Sequence, residues 1–350
     1  APYISKNANC IPAKAELVWQ DAPNLVTDIK YNGTGNGNIS FKIDKNTIRE
    51  GNAVIAIKDG SNQTLWSWHI WVTDENISNT IEVTNFQGNK YKLMSANLGW
   101  CNGYTTTYAE RSCKVKFTVG KASQTITVKQ VSNSITVSGN NPYYQWGRKD
   151  PFLPSDGLDN TNKTWYDKDG VHSTSSPATE SFSPGITCIK NYILKPNVMQ
   201  KQLGGDNTYQ NLWSADNYVY IANDNLVIKT IYDPSPVGFK LPASNAFTGF
   251  TTTGDYTTTF SQIKGTWDNA LKGWRFYTSS VKDKTIFFPA SGYRNYSNGN
   301  STRIGISGFC WSAVSYSTHS AYCMYFTLSN VLPLHYYSRA YGFGVRSSKE

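Results

Sequence analysis

The feature that most limits what this chain can fold into is a period-two alternation of apolar and polar residues, repeated in short runs between turn residues. In Ile39-Ser40-Phe41-Lys42-Ile43-Asp44 every second residue is apolar, so one face of an extended segment meets a core and the other meets water. Glu16-Leu17-Val18-Trp19 begins the series, and Ala53 to Ile57 is a continuous apolar run, the pattern of a strand covered on both faces. Asn32-Gly33 and Gly35-Asn36-Gly37 lie between these runs and supply the positive φ of tight turns. In Trp66 to Thr73, Trp66, Trp68 and Ile70 share one face, while Ser67, His69 and Trp71 share the other; a tryptophan stripe of this kind reads as core before it reads as a sugar platform. The clearest hairpin covers residues 114–131. Val115, Phe117 and Val119 face one way and the lysines the other, and Ile126 and Val128 repeat the pattern after a turn at Gly120-Lys121-Ala122-Ser123.

From about residue 140 the texture changes to longer, irregular segments rich in aromatics, Gly and Asn. Helical signals are few: one begins at Ser244 and runs through Phe247, and another spans Phe260 to Leu271, where Ile263, Trp267 and Leu271 keep helical spacing. Strands return at Tyr322 to Leu328 and Tyr341 to Ser347. In the last of these Tyr341, Phe343 and Val345 are expected to share a buried face, with Gly342 and Gly344 leaving the other open. The expected fold is therefore mostly β. An N-terminal β-sandwich-like domain over residues 1–90 precedes a loop-rich α+β domain over 91–350. A β-hairpin at about 101–138 either interrupts the second domain or completes the first.

Composition narrows the function classes. Only 16% of residues are charged and 14% are aromatic, which suits short strands and polar turns and argues against disorder. The formal charge of +9 comes from scattered Lys and Arg without a basic run, so nucleic acid is not an expected partner. No apolar stretch approaches the ~18 residues of a membrane span. Ala1 does not open a signal peptide, so the chain reads as mature or trimmed.

Six phrases in fixed order carry a family resemblance: Trp66 to Asp74 (WSWHIWVTD), Tyr143 to Phe152 (YYQWGRKDPF), Tyr232 to Pro242 (YDPSPVGFKLP), Gly308 to Ala313 (GFCWSA), Ala321 to Phe326, and Ser338 to Arg346 (SRAYGFGVR). Over residues 60–350 the chain resembles the fimbrillin-like surface lipoproteins of Bacteroidetes that carry a Fibrobacter succinogenes major paralogous domain. The resemblance implies a C-type-lectin-like fold for the second domain and a place at the cell surface, on the outer membrane or in a fimbrium, with any lipid anchor lying outside this chain. Met94-Ser95-Ala96-Asn97-Leu98-Gly99 matches in part the phrase that opens such domains. Two departures matter. Ser235 stands where the family's loop has Cys, and the lectins' calcium motif is missing: Lys195-Pro196-Asn197 puts a cation where calcium needs an oxygen ligand, and Trp267-Asp268-Asn269 reverses the order of its last two residues.

Chemistry-bearing motifs are sparse. Cys101 with Cys113, and Cys310 with Cys323, are spaced as candidate short disulfide loops, against the reading of cysteines as small buried hydrophobes. His69, His172, His319 and His335 form no metal-ligand spacing; His319 lies near Cys310 and Cys323 in sequence, the one hint of a Cys/His pair. Asp150, Asp156, Asp159, Asp167 and Asp169 read as solvated loop aspartates. HExxH, G-x-S-x-G and the P-loop are all missing. The expectation is a non-catalytic protein without metal or cofactor, acting as a surface adhesion or fimbrial subunit whose partners are other subunits. The alternative is calcium-independent capture of host or dietary glycans, with Trp165, Tyr166, Trp213 and Tyr296 as the candidate stacking rings.

Overall fold

A computed structural model describes residues 10–33, 37–183, 185–203 and 209–350; Gly35 and Asn36 of the expected turn lie outside them. The chain is mostly β. Among the described residues, α-helix is confined to Ile186–Leu194.

The alternating runs of the first 90 residues become strands. Lys14–Gln20, Gly51–Lys58 and Thr64–Val72 form an antiparallel sheet with Gly51–Lys58 in the middle. Ala53 and Ile55 pack with Leu17, Leu25 and Val26, while Val54 packs on the opposite face with Trp19 and Leu153. The apolar run is thus covered on both sides. The hairpin of Thr27–Asn32 with Asn38–Lys42 places Ile29 and Ile39 on the first of these clusters.

Strand pairing runs across residue 90. Thr80–Thr84 pairs with Lys90–Met94, which pairs with Ser348–Lys349 near the C-terminus, and that strand pairs with Phe239–Lys240. The largest sheet belongs to the second half: Ser307–Ser315, Ser320–Thr327 and Val331–Ser338 pair antiparallel, and Gly342–Val345 lies parallel to Ser307–Ser315 in the interior. Phe343 and Val345 are buried. The space beside the glycines is filled, contrary to expectation: a Cβ on Gly344 would lie 3.1 Å from Asn97 Nδ2 and 3.2 Å from both Asn141 Nδ2 and Phe309 O.

Ser244–Phe250 is helical in the tighter 3₁₀ form. The helix expected over Phe260 to Leu271 is a correction: a short 3₁₀ turn, Phe260–Gln262, gives way to a strand, Gly265–Asp268. This strand pairs with Gly273–Tyr277, setting Trp267 across from Trp274, and the edge-on contact of the two indoles outweighs the helical spacing of Ile263, Trp267 and Leu271.

Four arginines hold the irregular segments. Arg148, Arg294, Arg339 and Arg346 are at most 1% exposed, and none forms an ion pair among the described residues. Each spends its donors mainly on backbone carbonyls. Arg148 reaches Lys195, Pro196 and Val198; Arg294 reaches Leu153, Pro154 and Gly299. Arg339 reaches Tyr209, Ser317 and Ser320, and Arg346 reaches Met94, Ser95 and Phe287. Aromatic rings cover the guanidinium faces, as Trp146 does for Arg339 at 4.3 Å and Phe288 for Arg346 at 4.2 Å. Burial lowers Arg294, Arg339 and Arg346 to about 10, so all three remain charged at neutral pH. Arg346→Met should therefore cost roughly 3 kcal/mol or more in urea unfolding, because three carbonyls and Asn97 Oδ1 lose a buried donor. Arg346→Lys should recover little of it, since one ammonium cannot reach partners on both sides.

Candidate functional site

The four aromatics singled out from sequence do not come together. Trp213 is fully buried, packed at 5.2 Å on Trp146 with its ring N–H donated to Tyr232 O. It has no face for a sugar, which corrects the expectation; its polar, turn-rich sequence context disguised a core position. Trp165 and Tyr166 form a short strand that pairs with His172–Ser173 and, through Tyr166, with Gln20. Trp165 is half-buried, its ring N–H bonded to Ser175 O. Tyr296 is also half-buried and stands edge-on to Tyr341 at 4.9 Å.

The cysteines are free, and both candidate disulfides are corrected. Cys310 sits across from Met324, whereas Cys323 sits across from Trp311, so neighbouring strands point the two thiols to opposite faces of the sheet. Cys101 is buried, while Cys113 is exposed on the hairpin across from Val128. At ~3.4 Å per residue, residues 104–113 alone hold that pair roughly 30 Å apart, far beyond a disulfide. Burial pushes the Cys310 thiol up to about 12 and raises Cys101 and Cys323 as well, the opposite of an activated nucleophile. His335, and not the exposed His319, is the histidine across from Cys323. Asp150 departs from the solvated-loop reading. It is buried, bonded to Lys149 at 2.7 Å and to Ser67 at 2.9 Å.

A polar chain does cross the first sheet. Tyr144 O–H meets His69 Nδ1 at 3.1 Å, and His69 Nε2 meets Asn52 Oδ1 at 2.9 Å. Asn52 Nδ2 donates to Asp21 Oδ2 at 3.1 Å, and Lys163 Nζ lies 3.2 Å from that oxygen. Because the Asn52 amide donates to a carboxylate, its Oδ1 is an acceptor; His69 is then neutral with its proton on Nε2. The chain ends in a cleft of about 850 Å³ lined by Asp21, Glu50, Asp74, Asn102, Lys163, Tyr104 and Tyr166. Burial and the nearby Asp74 raise the Glu50 carboxyl, against a 2.7 Å bond from the Asn102 amide. These bonds tie Asn102, just before the hairpin, to the end of the first sheet.

From this root rises a two-stranded ribbon. Tyr104–Tyr108 pairs with Asn133–Val137, and Arg111–Val119 with Ala122–Gln130, in one unbroken register. Gly120, with φ at 59°, turns the tip. At ~3.4 Å per residue, residues 104–119 span roughly 50 Å. Among the described residues these strands pair only with each other. Both faces are open: Phe117 is 56% exposed and Val119 83%, beside Val115, Ile126 and Val128, while Lys114, Lys116 and Lys129 lie on the reverse. The alternation was plain in the sequence, but it carried no sign that the apolar face lacks a partner within the chain.

Residues 262–347 match a family described as a domain of unknown function, DUF8237. No curated protein and no solved structure matches the chain.

The half-buried histidine gives a pH test. Desolvation lowers His69 to about 3, below the ~6.5 of an unfolded histidine, so the unfolded chain takes up the proton first as pH falls. The stability this group contributes is complete above about pH 6.5 and is lost progressively down to about pH 3. Between pH 7 and pH 4, His69→Gln should lose roughly 3 kcal/mol less stability than the parent, read from urea midpoints.

Proposed function

We propose that the chain is a non-catalytic adhesion or fimbrial subunit of the cell surface, joined to its neighbours through the ribbon of residues 104–137. The observation that carries this reading is the uncovered apolar face of an isolated two-stranded ribbon. A hairpin of two strands gains little stability alone, and a contiguous row such as Val115, Phe117 and Val119 in water marks a place where something else packs. Both outer edges of the ribbon also keep unpaired backbone N–H and C=O groups, to which a strand of another chain can add. The order of phrases resembling fimbrillin-like lipoproteins supports the location. Among the described residues no helix is long and apolar enough to cross a membrane, and nothing in the ribbon reading requires one.

The ribbon can be removed at the cost of one cleft-lining ring, Tyr104, because Cys101 and Asn140 pair across its root at 2.9 and 3.1 Å. Replacing residues 104–137 by a short Gly-Ser linker should leave the melting temperature within about 3 °C of the parent. Beads coated with the intact chain should cohere with one another or adhere to immobilised bacterial and host surface preparations, and beads carrying the shortened chain should not. Equal adhesion by both, or steady hydrolysis of a polysaccharide by the pure protein, would overturn the reading.

A further inference from the structure

Away from the ribbon, the second half of the chain gathers tyrosines on one face of its large sheet. Val331–Ser338 is the edge strand. Its Tyr337 lies across from Ala321 and its His335 across from Cys323, so both side chains share the face that carries Tyr325. The rings form a continuous run. Tyr325 to His335 is 6.0 Å between centroids, His335 to Tyr337 4.9 Å, Tyr337 to Tyr341 6.0 Å and Tyr341 to Tyr296 4.9 Å. All five are half-buried: the inner part of the run rests on Phe309 and Phe343, and the rest meets solvent. The packing is mostly edge-to-face, with planes 79° to 84° apart at three of the four steps.

Burial and neighbouring rings set the acidity of the two central phenols. Burial pushes the Tyr337 phenol up to about 12, and its electrostatic neighbours are Tyr325, Cys323, Tyr341 and Tyr293. Tyr341 likewise answers to burial, Tyr296 and Tyr293. Burial lowers His335, which keeps it neutral. The groups that set these two phenols are thus burial, other tyrosines and a thiol. Phenols whose neighbours are other rings complement a ligand that is itself uncharged, apolar on its C–H faces and hydroxylated at its rim.

We propose that this tyrosine face, from Tyr325 through Tyr337 to Tyr296, binds a neutral oligosaccharide by stacking on its sugar rings. The site takes several consecutive sugar units, since its rings form a row. It needs no metal. The whole row falls within residues 262–347, the segment that matches the domain of unknown function. The proposal stands apart from the ribbon and does not depend on it.

The test uses the full chain with neutral hexaoses (gluco-, xylo- and manno-configured) and with uronate-bearing and sulfated oligosaccharides of similar length, by titration calorimetry. At least one neutral hexaose should bind, unchanged by excess chelator and unchanged in the chain lacking residues 104–137. Tyr325→Ala and Tyr296→Ala, at the two ends of the row, should each weaken it about ten-fold. Tyr325→Phe should stay within about three-fold, because the ring and not the hydroxyl supplies the contact. Tyr166→Ala, on the distant cleft, should change nothing. Melting curves of each variant check that the fold is retained. The proposal is overturned if only the charged oligosaccharides bind, if no neutral hexaose binds at millimolar concentration, or if binding survives both alanine changes. A concentration-dependent dimer that Tyr325→Ala dissolves would overturn it too, since the face would then be an interface between copies.

Discussion

Buried guanidinium groups, each bonded to carbonyls of segments far apart in sequence, are the interaction on which the loop-rich half of this chain depends. A loop that runs through a protein interior carries carbonyls that no helix or sheet ladder satisfies, and each one left bare costs free energy comparable to a lost hydrogen bond. Arginine answers this with five donors on a rigid plane and a face that rings can cover. Arg148 fastens residues 195–198 to the YYQWGRKDPF segment, and Arg346 fastens residues 94–97 and Phe287 to the C-terminal strand. The buried tryptophans do the same with one donor each: Trp146 bonds Ser312 O, Trp311 bonds Tyr144 O and Trp274 bonds Thr327 O. Long irregular connections can therefore be packed instead of lying on the surface.

This changes the meaning of the phrases that carry the family resemblance. YYQWGRKDPF contains Arg148 and Trp146, GFCWSA contains Trp311, and SRAYGFGVR contains Arg339 and Arg346. Charged and aromatic residues in turn-rich segments read naturally as a binding surface, yet here they are among the most deeply buried large side chains of the described residues. Ser235 follows the same logic: its hydroxyl accepts a 2.8 Å hydrogen bond from Ser347, so the position where the family has cysteine is filled by a buried polar contact. The phrases record how the loops are fastened.

What was legible in the sequence follows from how local each signal is. Period-two alternation is local, so the strands around Ile39, Ala53 and Val115 were readable, and so was the hairpin at 114–131. A helix and a strand both fit Ile263, Trp267 and Leu271, and the choice fell to Trp274 across the ladder, a partner that no window on residues 260–271 contains. The cysteines show the same limit. Spacing allowed Cys310 to meet Cys323, but one residue of register decides which face each thiol takes. The tyrosine face escaped notice because its members come from 296, 325, 335, 337 and 341, and only strand pairing makes them neighbours. Of the aromatics chosen from sequence, Tyr296 alone belongs to it.

The ribbon and the tyrosine face differ in what they ask of a partner. The ribbon exposes β-branched and phenyl side chains and open backbone edges, which match another polypeptide strand, and its reverse carries Lys114, Lys116 and Lys129 in water. The tyrosine face presents rings instead of an aliphatic row, and the inner part of that row is fixed by Phe309 and Phe343 beneath it. A ribbon that pairs with nothing else among the described residues has open edges to which a strand can add. Rings already held in place suit a ligand with little free energy to spend on ordering its receptor, as a sugar chain has. A chain bearing both would hold its neighbours with one surface and leave the other facing outward.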